Sequence, residues 1–166
     1  MLTRRLFQGA LVLTAALLAL TGPAVAQSQC SACTASQTGT GGADTIIGTS
    51  GPDCLFGLGG TDFIDGKEDS DCIDGGSGSD DLHGGFGNDY MDGWTEPETL
   101  MWGGPGGDFM LGWTGNDHMV GADGNDELRG ESEDDSLNGG DHTDHLDGGS
   151  GTDTCVNGET TANCSP

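Results

Sequence analysis

Positive charge is nearly missing from this sequence: its 166 residues hold 4 Lys+Arg against 28 Asp+Glu, a formal net charge of −24. A chain so acidic repels nucleic acid and anionic lipid surfaces, so neither is an expected partner. Hydrophobic residues reach only 33% and aromatic residues 5%, too little apolar surface for an ordinary core to offset conformational entropy. Proline is scarce at 5 residues, and the 33 glycines lack a three-residue period, which excludes a collagen-like chain. No long apolar run follows residue 26, so no membrane span is expected. Disulfides, metal ions or both must supply what the core lacks.

Arg4 and Arg5 precede an apolar run from Leu11 to Leu20, and Ala24-Val25-Ala26 follows. A charged start, an apolar centre and a small-residue cleavage pattern read as a signal peptide over residues 1–26. Thr3-Arg4-Arg5-Leu6-Phe7 also resembles a twin-arginine signal, a route for proteins exported already folded. The general secretory route is the preferred reading, because the fold argued below needs a metal abundant outside the cell. The expected destination is secreted, periplasmic or at the cell surface. Residues 27–166 set all 28 acids against Lys67 and Arg129 alone, a net charge of −26. All six cysteines lie there, namely Cys30, Cys33, Cys54, Cys72, Cys155 and Cys164, and an even count behind a signal peptide argues for disulfides. Cys30 and Cys33 form a CxxC with no second CxxC and no βαβ pattern, so a small local disulfide is expected there rather than a zinc or redox site.

Glycine recurs every nine residues from Gly39 to Gly93 and, after one extra residue, from Gly103 to Gly148. This defines thirteen units over residues 39–157. The sixth position of each holds Asp44, Asp53, Asp62, Asp71, Asp80, Asp89, Glu98, Asp108, Asp117, Asp126, Asp135, Asp144 and Asp153. The eighth is apolar throughout: Ile46, Leu55, Ile64, Ile73, Leu82, Met91, Leu100, Met110, Met119, Leu128, Leu137, Leu146 and Cys155. An acidic, Gly-rich linker would explain neither register.

Gly84-Gly85-Phe86-Gly87-Asn88-Asp89-Tyr90-Met91-Asp92 and Gly148-Gly149-Ser150-Gly151-Thr152-Asp153 closely resemble the G-G-x-G-x-D-x-U-x repeat of RTX-type (haemolysin-type) calcium-binding proteins. The resemblance covers residues 39–157, leaving 27–38 as an N-terminal cap segment and 158–166 as a tail. It implies an all-β parallel β-roll in which each unit is a six-residue turn and a three-residue strand, with two units per rung. It also implies calcium between stacked turns, held by the sixth-position Asp and by turn carbonyls. The glycines expected to present them include Gly75, Gly76, Gly78, Gly84, Gly85, Gly87, Gly103, Gly104, Gly106, Gly112, Gly115, Gly121 and Gly124.

The residues support that picture physically. Calcium takes six to eight oxygens at ~2.3–2.6 Å. One carboxylate and two carbonyls per turn give three, and two stacked turns give six. Turns that aim carbonyls inward need φ > 0, which glycine supplies without steric cost. Strand alternation puts positions six and eight on one face and seven and nine on the other. Stacking pairs units two apart, so the acids form rows of seven and six, whose gaps allow at most eleven ions.

Some units depart from the pattern. Asp69, Glu133 and His142 replace the fourth-position glycine in three of them. Extra carboxylates are candidate ligands; His142 is a poor one. His142 and His145 are read as surface residues rather than a transition-metal site. The seventh unit, Gly93-Trp94-Thr95-Glu96-Pro97-Glu98-Thr99-Leu100-Met101-Trp102, departs furthest, and with Leu100 as its eighth position Trp102 is the inserted residue. Weak or absent calcium sites are expected there. Cys54 and Cys72 both sit at seventh positions 18 residues apart, one rung apart in the roll, and are expected to pair. Cys155 with Cys164 would pin the tail, and Cys30 with Cys33 would close the entrance loop.

No HExxH or GxSxG occurs, and so little lies outside the repeats that an enzyme is not expected. The leading expectation is a secreted calcium-binding β-roll acting as a structural or surface module. The alternative is an adhesin-like module that binds a surface polysaccharide or protein through an aromatic patch of Trp94, Trp102, Phe109 and Trp113. Unpaired strands at the ends of a roll also make end-to-end self-association a candidate.

Overall fold

The structure is a computed structural model, and it describes residues 33–98 and 100–165. The expected signal peptide and Cys30 lie outside the described residues.

Each nine-residue unit reverses the chain, so consecutive strands fall on opposite sides of a flattened coil and strands two apart become neighbours. One sheet holds β1 (Ala35–Thr38), β3 (Asp53–Phe56), β5 (Cys72–Asp74), β7 (Tyr90–Asp92), β9 (Phe109–Thr114), β11 (Glu127–Ser132), β13 (His145–Asp147) and β15 (Thr160–Ala162), in that order. The facing sheet holds β2 (Thr45–Ile47), β4 (Phe63–Glu68), β6 (Asp81–Phe86), β8 (Leu100–Pro105), β10 (His118–Asp123), β12 (Ser136–Asp141) and β14 (Thr154–Val156). The strand pairings among the described residues are all parallel, and no helix occurs among them. This is a parallel β-roll, as the repeat implied. One strand precedes and one follows the thirteen units: β1 extends the first sheet beside β3, and β15 closes it beside β13.

The core is two facing ladders with one apolar side chain per strand. Ile46, Ile64, Leu82, Met101, Met119 and Leu137 line one sheet, while Leu55, Ile73, Met91, Met110, Leu128 and Leu146 line the other. All but Ile46 are wholly inaccessible to solvent. A core one side chain deep buries little per residue, so something beyond hydrophobic contact must hold the turns.

In the seventh unit the core residue is Met101, not Leu100. Met101 stands in register with Leu82 and Met119, while Leu100 pairs with Asp81 on the outer face. Trp102 is therefore not an insertion; it occupies an ordinary outward position beside His83 and Val120. Met101 thus falls three residues after the sixth-position acid instead of two, and the Glu98 carboxylate is buried over Gly93. Truncating Met101 to Ala should lower stability in saturating calcium by about 2–4 kcal/mol, and truncating Leu100 by about 1 kcal/mol or less. Thermal unfolding of the two variants checks the register, and a larger loss from Leu100→Ala would refute it.

The cysteines also correct an expectation. Cys54 and Cys72 are indeed neighbours in register, yet Cys54 is bonded to Cys33, with a Cα–Cα distance of 5.5 Å. Side chains on directly opposed parallel strands project side by side with Cβ atoms ~4.8 Å apart, wider than the ~3.8 Å a disulfide favours. Cys33 approaches from the chain entering β1 and so can meet Cys54 at a better angle. That bond also removes Cys33 from the expected pairing with Cys30. Cys72 is itself disulfide-bonded. At the other end Cys155 is joined to Cys164, as expected, with a Cα–Cα distance of 5.8 Å.

Candidate metal centre

The sixth-position acids form two straight rows along the turns. In each row a carboxylate Oδ1 accepts the backbone N–H of the acid one rung earlier, as in Asp44 to Asp62 at 2.7 Å and Asp108 to Asp126 at 2.8 Å. The same bond joins Asp53 to Asp71, Asp62 to Asp80, Asp71 to Asp89, Asp89 to Asp108, Glu98 to Asp117, Asp117 to Asp135, Asp126 to Asp144 and Asp135 to Asp153. Apart from the first, Asp44, these acids are at most 3% exposed. In each of these ten accepting aspartates one oxygen is thus fixed by the backbone, which aims the other; Glu98 is the exception.

That other oxygen is orphaned. The Oδ2 atoms of Asp62, Asp71, Asp80, Asp89, Asp108, Asp117, Asp126, Asp135, Asp144 and Asp153 are buried without a hydrogen-bond partner, as are both carboxylate oxygens of Glu98. Each Oδ2 folds back over the first glycine of its own turn, where the carbonyl of the first residue one rung on also points. A Cβ on Gly39 would lie 2.6 Å from the Gly57 carbonyl oxygen and 2.9 Å from Asp44 Oδ2. The same convergence recurs at Gly57, Gly66, Gly84, Gly103, Gly112, Gly121 and Gly130. Negative oxygens from successive turns meet in a space only glycine leaves open.

Burial makes ionised carboxylates costly here and raises their pKa values. Asp108 is pushed to about 8, Asp71 and Asp135 to about 7, and Asp80, Asp89 and Asp126 to about 6, in every case chiefly by loss of water. Neighbouring row acids add to the rise at Asp71, Asp80, Asp108, Asp126 and Asp135. Glu98 is also raised, by burial and then by Asp117. Cationic charge relieves such a row, and the only Lys and Arg beyond residue 26, Lys67 and Arg129, are bonded to Asp65 and Glu127.

The donor set fits calcium. It consists of hard oxygens only, one carboxylate per turn supplemented by carbonyls, which is the chemistry this cation takes. Accordingly, no group of three or more His, Cys, Asp and Glu gathers at one point among the described residues.

From the third unit to the twelfth, turn position two and, except at Glu96, turn position four take positive φ, as the glycines there suggested. At Gly78 a Cβ would fall 1.5 Å from the Gly60 carbonyl oxygen, so no larger residue fits. Elsewhere non-glycine residues accept the strained conformation: Leu58, Lys67, Trp94, Trp113, Ala122 and Glu131 at position two, and Asp69, Glu133 and His142 at position four. Turns lacking the fourth glycine therefore keep the same path. Glu133 does not aim at the oxygen row; its carboxylate accepts the Gly115 N–H at 2.9 Å, as Glu96 does the Gly78 N–H at 2.7 Å. His142 lies 3.0 Å from Asp123 on the turn surface.

The aromatic residues do not gather into one patch. Trp102 lies on the outer face of the seven-stranded sheet, where His83 stands between it and Phe63 at ring distances of 5.8 and 5.3 Å. Phe109 lies on the opposite sheet, stacked on Tyr90 at 5.4 Å under the Arg129 guanidinium, with Leu111 and Trp113 alongside. Sequence reasoning missed two acids on that face. Asp92 is 7% exposed with an unpartnered Oδ1, and burial pushes it to about 7 and its neighbour Asp74 to about 6. Their ninth position reads as solvent-facing in the repeat, yet Asp92 is buried and Asp74 half-buried on the face that carries the Tyr90, Phe109, Leu111 and Trp113 cluster. Glu159, in the tail, was missed as well.

Residues 38–71, 69–95, 100–119 and 120–155 match four copies of the RTX calcium-binding nonapeptide repeat. No curated protein and no solved structure matches the chain. With the buried acidic rows, the parallel roll and this match over more than half its length, the chain belongs to the RTX calcium-binding nonapeptide repeat family, whose repeats bind calcium.

Proposed function

We propose that this protein is a secreted structural or surface module whose roll is assembled by calcium. The observation that carries the reading is the file of buried, unpartnered Oδ2 atoms. Bound calcium supplies positive charge and cross-links successive turns. The chain's own residues do the rest: Oδ1 bonds orient each carboxylate, first-position glycines leave space, and the core ladders fix the spacing between rungs. The signal-like residues 1–26 and the disulfides suit an oxidising space outside the inner membrane, where calcium is plentiful.

Titrating residues 27–166 with calcium by calorimetry tests the reading. Several ions per chain should bind, no more than one for each gap between stacked acids. Magnesium should substitute poorly, because it requires small octahedral geometry. A chain that binds no calcium in the micromolar to millimolar range would exclude the proposal.

A further inference from the structure

The geometry points to an additional calcium site at the C-terminal end of the roll, outside the nine-residue pattern, built by Asp144, Glu159 and the main-chain carbonyl of Asn157. It rests on the calcium reading of the repeats and adds a position that the repeat does not mark.

In the regular rows the carboxylate that receives an acid's N–H stands 18 or 19 residues ahead. Eighteen residues beyond Asp144 stands Ala162, whose side chain offers no acceptor. The Asp144 N–H is instead received by Glu159 Oε2 at 2.6 Å, across a separation of 15. The chain has shortened the turn: only Asn157, Gly158 and Glu159 join β14 to β15, where a full unit uses six residues. Glutamate is one methylene longer than aspartate, which restores the reach the shorter turn loses. The first-position carbonyl has a substitute too. Beside Gly139 the Asn157 carbonyl oxygen and Asp144 Oδ2 converge, as the Gly139 carbonyl and Asp126 Oδ2 do beside Gly121. Asn157 has φ 55°, a left-handed conformation that asparagine tolerates better than most residues.

The second observation is independent of this replacement. Asp144 is 1% exposed and its Oδ2 has no hydrogen-bond partner, so a buried carboxylate oxygen is aimed into the cradle. The short turn is also held in place. Cys155 and Cys164 bracket it covalently, and β15 pairs with β13 through His145 and Thr160. A cation here would tie the last strand to the row of acids and close the end of the roll, adding one to the eleven gaps counted along the two rows.

Calcium binding by residues 27–166 and by the Glu159→Gln and Glu159→Asp variants, counted by calorimetry, tests the site. Amide exchange in Thr160–Ala162 should be read alongside. Both variants should bind one ion fewer than the parent, Asp because it is too short. Calcium should slow exchange in β15 of the parent at least tenfold, and the variants should lose that protection while β7 and β9 keep theirs. Equal ion counts in parent and variants, or no calcium-dependent protection of β15 in the parent, would overturn the site and leave the repeats' role intact. A parent chain that takes up no calcium would overturn both.

Discussion

In chelator at pH 7.5, residues 27–166 should be expanded and almost devoid of β-sheet signal; added calcium should restore the sheet in a steep, cooperative transition. Two features set the size of this effect. The metal-free roll must bury its acids at 3% exposure or less with their second oxygens unpartnered, and its core is a single file of side chains. Each calcium site filled at a hundred times its dissociation constant adds ~2.7 kcal/mol, so four sites reach ~11 kcal/mol, comparable with the whole stability of a typical domain. Binding energy is then folding energy. Neighbouring rungs share first-position carbonyls and N–H···Oδ1 bonds, so filling one gap orders the next, which makes the transition steep. Circular dichroism and small-angle scattering in chelator and in 5–10 mM calcium check this. Identical compact profiles under both conditions would refute it.

Acidification should act in opposite directions on the two forms. An aspartate ordinarily titrates near 3.8, whereas in the roll Asp71, Asp108 and Asp135 titrate at about 7 to 8 and Asp80, Asp89 and Asp126 at about 6. With folded values raised above unfolded ones, the metal-free roll binds more protons than the unfolded chain. Its stability is therefore greatest below about pH 4 and falls as pH climbs through 6 to 8. Protons neutralise the rows as calcium would, and the chelated chain should become more compact between pH 7.5 and pH 4. The calcium-bound form should show the reverse. Its ligands must be deprotonated, so apparent calcium affinity should drop as pH falls from 8 to 5. Thermal unfolding over pH 4–8, with and without calcium, measures both slopes. A metal-free chain that gains stability on going from pH 4 to 7.5 would contradict the burial of these acids.

The period of nine, the acidic rows, the glycine turns and most of the core are local properties, and the sequence displays them without ambiguity. Asp at position six and an aliphatic residue at position eight share a strand face by backbone geometry alone, so Asp62 with Ile64, or Asp126 with Leu128, reads directly as a ligand beside a core residue. What the sequence left undecided depends on neighbours distant along the chain. Leu100 and Met101 are both apolar, and only pairing with Leu82 and Met119 selects Met101 for the core. Cys54 has a plausible partner one rung away, but bond formation depends on the direction of Cβ vectors, and the strand added by the cap segment brings Cys33 instead. Trp102 and Trp113, close together in sequence, separate onto two sheets because consecutive units face opposite ways. Glu159 carries no repeat signature because its turn is three residues short, and stacking against Asp144 is what makes it part of the row. Periodicity specifies the phase of each side chain within its own unit; contact between units decides which phase survives an insertion, a shortened turn or a covalent bond.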